Sequence, residues 1–407
     1  MSVLPLTLDR QLAQAVAITA RLRHDHDGEG VAAQAIRGVD FVARGLWHVW
    51  RNRRVLTPTK LINMALVNVQ FRLKTERVLG RPYRMKIEPT NICNTRCQLC
   101  PTGIGLRGRP RGRMGFDEYR TLIDQMKRYL VAVDLSMWGD PLIVPQIYDM
   151  IRYAHRARIW TYISSNLHAF DVDANDAERL VASGLNELTC SLHGATQATF
   201  QRYQPGKSLA QVVAKVRHLV DVRRHMGSTT PRIRLNFVVT RCNEHERREF
   251  AALAEELGCE PVFSAASMNT RFLDQDKTLP PLGLGSDVLA RKRREHFETW
   301  LPRDDRYVLK SYRDMQHGDY DPADYNGTKL YNCDWPWRAA VINWDGGVVT
   351  CCGRFDPADD MGNAIDTRFA NIWNGRRYRM ARRSFKKRVS GADAVNNACA
   401  SCPGYMV

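Results

Sequence analysis

Cys93, Cys97 and Cys100 stand in a C-x3-C-x2-C array within the stretch from Glu88 to Gly103. Three thiolates this close can share one metal centre, whereas a disulfide would use two and strand the third. A structural zinc site normally takes four protein ligands, and no fourth Cys or His lies near in sequence. A [4Fe–4S] cluster held by three cysteines keeps one iron open to a substrate or cofactor, which points to chemistry and not to scaffolding. A second group, Cys333, Cys351 or Cys352, Cys399 and Cys402, supplies four thiolates and closes a site, as either zinc or an iron–sulfur cluster allows. Adjacent strand positions face opposite ways, so one of Cys351 and Cys352 is the ligand, and Cys351 is the expected one. Cys190, Cys242 and Cys259 lack such spacing and read as buried apolar residues.

The elements that position these thiols follow from periodicity. Met85–Glu88 reads as a short strand, so the triad follows a strand's C-terminal end, where parallel α/β folds bind ligands. Strand-like runs at Val131–Met137, Ile159–Ile163, Glu187–Leu192 and Arg232–Val239 alternate with helical runs such as Phe116–Leu130 and Gln146–Arg156. Between residues 83 and 266 this alternation describes parallel βα units. Residues 1–82 read as a basic helical extension, with stripes at Leu8 to Leu22 and Val31 to Trp50 and a new helix starting at Thr57-Pro58. Residues 267–330 are punctuated by Pro280, Pro281, Gly283 and Gly285 and read as a bridge. The cysteines return in 331–407.

The three-cysteine loop after a first strand resembles the radical S-adenosylmethionine (SAM) superfamily. Glu88-Pro-Thr-Asn-Ile-Cys-Asn with Cys100-Pro-Thr-Gly resembles its SPASM/twitch branch, as do Cys333-Asp-Trp-Pro-Trp337 and Asn343-Trp-Asp-Gly-Gly347. The resemblance implies an α/β fold, a partial (β/α)6 TIM-like barrel over 83–266. It also implies a small SPASM/twitch domain over 331–407 carrying one auxiliary [4Fe–4S] cluster. In that family the open iron chelates SAM, and one electron cleaves SAM to a 5′-deoxyadenosyl radical. Further matches imply SAM contacts at Gly139 and Asp140, Ser165 and Asn166, Ser191 and His193, Gln204, and Val239. Here Trp138 and Asp140 replace a glycine and a glutamate, and Gln204 stands where an arginine would pair with the methionine carboxylate.

Composition narrows the partners. Sixty Lys and Arg against 43 Asp and Glu give +17, which favours an anionic substrate or an acidic flavodoxin or ferredoxin donor. Arg107, Arg109, Arg111 and Arg113 form a basic loop suited to either. No apolar run is long enough to span a membrane and no secretory signal is visible, so the expected place is the cytoplasm. Residues 42–82 are basic and amphipathic and are a candidate membrane-surface contact. A nucleic-acid binder would interleave aromatics with its basic residues on a known module, and none is visible. A purely structural metalloprotein has no use for the open three-cysteine site. The expected substrate is a small molecule, of the sugar, aminocyclitol, nucleoside or lipid-linked sugar class, undergoing oxidation, deoxygenation, decarboxylation or epimerisation. The alternative is maturation of a ribosomally made peptide or protein.

Overall fold

The computed structural model describes residues 54–105, 108–266, 286–309, 333–386, 397 and 399–400. The stripes expected before Trp50, most of the bridge, Arg107 and Cys402 lie outside the described residues. The described residues from 62 onward form one compact unit, and the site lies within it.

Eight strands make one sheet in the order β6-β5-β4-β3-β2-β1-β7-β8. They are β1 Arg84–Ile87, β2 Ala132–Asp134, β3 Trp160–Ser165, β4 Glu187–Ser191, β5 Arg232–Val239, β6 Glu260–Ala265, β7 Ala339–Ile342 and β8 Val348–Val349. All neighbours are parallel except β7 and β8. The first six strands and their crossover helices are the expected partial barrel. Among the helices, α1 is Pro58–Arg72, α2 Phe116–Met126, α3 Ile147–Arg156, α4 Asp176–Ala182, α5 Gln197–Tyr203, α6 Leu209–His225 and α7 Arg247–Glu256.

Strand alternation decides what each face carries. In β5, Ile233, Leu235, Phe237 and Val239 are buried in the core that also takes Val212, Val216 and Leu219 of α6 and Phe250 of α7. Arg232, Arg234, Asn236 and Val238 take the opposite face. That inner face is polar across the sheet, with Lys86, Asp134, Tyr162 and Glu187 in register on β1 to β4. In α2, Tyr119, Leu122, Ile123 and Met126 are buried as their spacing requires, and Glu118 reaches back to the Gly115 N–H to start the helix. The helix ends at Met126, short of Leu130, and β2 is shorter than the expected Val131–Met137, because the chain beyond Asp134 turns to line a cavity. No helix among the described residues is long and apolar enough to cross a membrane.

Candidate functional site

The cysteine loop leaves β1 and is fastened on three sides. Asp140 N–H donates to the Ile92 carbonyl (3.0 Å), Gln98 N–H to the Tyr203 carbonyl (3.2 Å), and Met114 N–H to the Pro89 carbonyl (2.9 Å). Two glycines allow this close wrapping. A Cβ on Gly139 would collide with the Thr90 and Ile92 carbonyls, and one on Gly103 with the Cys97 backbone.

Inside the loop, Thr95 Oγ1 lies 3.1 Å from Cys93 Sγ and 3.5 Å from Cys97 Sγ. Cys93, Cys97 and Cys100 line one cavity of about 310 Å3. None of the three is in a disulfide. Burial pushes the Cys97 thiol up to about 12 and raises Cys100 as well. A metal centre bound there would displace those thiol protons. Among the described residues no three His, Cys, Asp or Glu side chains close around a single ion. A polynuclear cluster, whose ligands stand wider apart, suits this donor set.

The strand-end residues expected at the site converge on the same cavity: Gly139, Asp140, Ser165, Asn166, Ser191, His193 and Gln204 all line it. Several are engaged in holding one another. The buried Asp140 carboxylate accepts from Ser165 Oγ (2.9 Å), Asn166 N–H (2.8 Å) and Leu142 N–H (2.9 Å), and burial raises its pKa. Asn166 Nδ2 donates to Asn94 Oδ1 (2.9 Å), joining the end of β3 to the cysteine loop. Gln204 Nε2 donates to the Ser191 carbonyl (3.2 Å), and Gln204 Oε1 lies 3.3 Å from His168 Nε2. His193 accepts from Val238 N–H at Nδ1 (3.1 Å), which leaves the proton on Nε2. Burial depresses its pKa to about 3, so it is neutral at physiological pH.

Three expectations need correction. Val239 is buried in the helix-side core, and strand alternation turns Val238 instead toward Cys97, Leu99 and Tyr203. Arg109 is not a free basic contact: its buried guanidinium pairs with Asp345 (2.7 Å) and Asp360. Cys242 and Cys259 are half-buried, and only Cys190 lies wholly in the core. Sequence reasoning also passed over Lys86, Ser136 and Tyr203, which line the cavity. Lys86 was detectable, since a lysine between apolar Met85 and Ile87 on a strand must face away from their core.

At the second cysteine group, Tyr378 is within electrostatic reach of both Cys399 and Cys351. Cys352 instead interacts with Lys86 and Asp134, on the cavity side. Cys333 interacts with Lys74.

Comparison with known proteins agrees with this geometry. The radical SAM superfamily model matches residues 87–235, and the SPASM iron-sulfur cluster-binding domain model matches 333–403. The chain is 26% identical over 305 residues to the mycofactocin maturase MftC of Mycolicibacterium smegmatis, covering 73% of this chain and 71% of that one. It is 24% identical over 298 residues to the PqqA peptide cyclase of Gluconobacter oxydans, covering 72% and 76%. The fold is similar to that of Streptococcus suis SuiB bound to S-adenosylmethionine, at a TM-score of 0.52 and 16% identity over 79% of this chain and 71% of that one. The chain is therefore a radical SAM enzyme with a C-terminal SPASM domain, using SAM and iron–sulfur clusters.

Proposed function

We propose that this enzyme is a maturase that modifies a ribosomally made peptide, with SAM held in the cavity at the ends of β1 to β4. The observation that carries this reading is the similarity, over about three quarters of the chain, to a maturase and to a peptide cyclase. SuiB, whose fold is similar, has been seen with its precursor peptide SuiA. The small-molecule substrate expected from the sequence has no comparable support.

In this reading Cys93, Cys97 and Cys100 hold the SAM-binding cluster. Cys333, Cys351, Cys399 and Cys402 hold the auxiliary one, and the electrostatic reach of Tyr378 to both Cys351 and Cys399, with Cys352 beside Lys86 and Asp134, supports Cys351 over Cys352. A cluster held by Cys93, Cys97 and Cys100 would supply one electron for the reductive cleavage of bound SAM, and through it the means of abstracting hydrogen from the substrate. The chain does the rest. Gly139 lets the β2 loop press on the cysteine loop, Asp140 ties Ser165 and Asn166 into a fixed rim, and neutral His193 offers an Nε2 proton to a hydroxyl or carbonyl. A cytoplasmic flavodoxin or ferredoxin is the proposed donor.

The test uses anaerobically reconstituted protein. About eight irons per chain are expected for two clusters, with 5′-deoxyadenosine released from SAM under dithionite. The Cys93, Cys97 and Cys100 triple alanine should lose that release while keeping the wild-type circular dichroism. Peptides, and not sugars or aminocyclitols, should raise the release and gain a mass change. Turnover of a sugar with no peptide response would return the enzyme to the small-molecule class.

A further inference from the structure

The inner face of the barrel carries a charged rung, and one member of it, Lys86, lines the cavity of the cysteine triad. Lys86, Asp134, Tyr162 and Glu187 stand side by side on β1 to β4. Asp134 is buried and heavily supplied with donors. Ser136 N–H reaches its Oδ1 at 3.0 Å, Ser136 Oγ donates to the same oxygen, the Tyr162 hydroxyl interacts with the carboxylate, and the Lys86 ammonium pairs with Oδ2. Asp134 therefore does not depend on Lys86 alone. Lys86 keeps a quarter of its side chain exposed and lines the cavity, and its Nζ also lies 3.4 Å from the Ser136 carbonyl. An ammonium has three protons to donate, and Asp134 fixes its position without using them all.

Its location distinguishes it from a residue serving SAM alone. Lys86 and Asp134 interact with Cys352, beside the second cysteine group, while Lys86 also lines the cavity of Cys93, Cys97 and Cys100. Lys86 thus belongs both to the cavity of the cysteine triad and to the surroundings of Cys352. Among the described residues lining that cavity, Lys86 is the only lysine or arginine.

Resting on the peptide reading above, we infer that Lys86, braced by Asp134, binds a carboxylate of the peptide substrate, either its chain end or an Asp or Glu side chain. A charge-assisted hydrogen bond is strong and directional, so it would hold the neighbouring C–H bonds in one orientation.

The test uses full-length, cluster-loaded protein with SAM and three pools of N-acetylated hexapeptides built from otherwise uncharged residues. One pool is amidated and neutral, one has free carboxyl ends, and one is amidated with a single Asp or Glu. Retention is read by mass spectrometry, and SAM binding by calorimetry on the same samples. Wild type should retain one carboxylate pool about ten-fold over the neutral pool, and which pool it is identifies the source. Lys86→Met should bring the two to parity with SAM affinity unchanged. Should Lys86→Met alone fail to fold, the pair Lys86→Met with Asp134→Asn leaves no unpaired charge and gives the same readout. A preference that survives these changes overturns the inference, as does a loss of SAM affinity in step with the peptides. Equal retention of all three pools also overturns it but leaves the peptide reading standing. No retention of any pool removes the peptide reading and the inference with it.

Discussion

Glu88 opens the cysteine motif, and its carboxylate holds together two loops far apart in sequence. Oε1 accepts from Trp138 N–H (3.2 Å), beside Gly139 of the SAM pocket, and Oε2 from Trp344 N–H (3.3 Å), in the C-terminal segment. Burial raises its pKa to about 7, with the two N–H donors and Arg109 opposing the shift. The carboxyl is thus easier to protonate folded than unfolded. Its contribution to stability is complete below the unfolded value near 4.5 and is lost as pH rises through about 7. Glu88→Gln cannot titrate, so its stability relative to wild type should improve by up to about 3 kcal/mol between pH 5 and pH 8. Urea midpoints of both proteins across that range give the answer, and a constant gap would mean Glu88 titrates like an exposed acid. Glutamine also turns one N–H toward a backbone N–H, so the variant starts with a deficit at every pH.

At the scale of elements, the loop 108–113 is a clamp. Its Pro110 carbonyl accepts from Asn91 Nδ2 (2.7 Å) and Trp344 Nε1 (3.1 Å), and Gly112 packs so close to the Trp344 ring that a Cβ would overlap it. Arg109 completes the clamp through Asp345 and Asp360, which keep 30% and 21% side-chain exposure. Arg109→Met should cost about 2 kcal/mol, less than a fully buried pair because of that exposure. Lysine should recover only part, lacking the fork that serves two carboxylates. Exposed Arg111→Met should be silent, and thermal denaturation of the metal-free proteins separates the three. Spacing alone showed the cysteine triad, and the family resemblance implied the strand-end set, because each is written in a few consecutive residues. It mistook Arg109 for a free cation because its two aspartates lie more than 230 positions away. Val239 was assigned to the pocket because a family match has no fixed phase, and a one-residue shift reverses a strand's face. Local alternation shows which face Lys86 takes, but its partner Asp134 and the Trp138 and Trp344 donors to Glu88 lie about 50 or more positions away, which local pattern does not contain.

At the scale of the whole unit, the C-terminal segment is built into the barrel's edge. β7 pairs with β1 over Arg84 to Ile87, and Glu88 N–H continues the ladder to the Ile342 carbonyl (2.8 Å). Residues 75–81, just before β1, are gripped by the same segment. Trp337 Nε1 donates to the Thr75 carbonyl (2.9 Å), Trp373 Nε1 to the Gly80 carbonyl (3.0 Å), and Asn374 exchanges hydrogen bonds with Val78 (2.8 and 3.0 Å). Arg382 is fully buried against Trp373 and Tyr378 and donates to the Pro336 and Glu76 carbonyls. We therefore propose that the expected boundary between 266 and 331 separates two sequence modules but not two folding units. Removing 331–407 would open β1 as an unpaired edge and uncover the apolar surface that Trp337 and Trp373 bury, which invites association in place of folding. The chain ending at residue 309 should accumulate as insoluble or loosely ordered protein, without the single cooperative transition of the full chain. Solubility, circular dichroism and iron content of the reconstituted fragment decide it. A soluble fragment that melts cooperatively and takes up about four irons would show that the barrel folds alone, and that the β1–β7 ladder joins two finished domains.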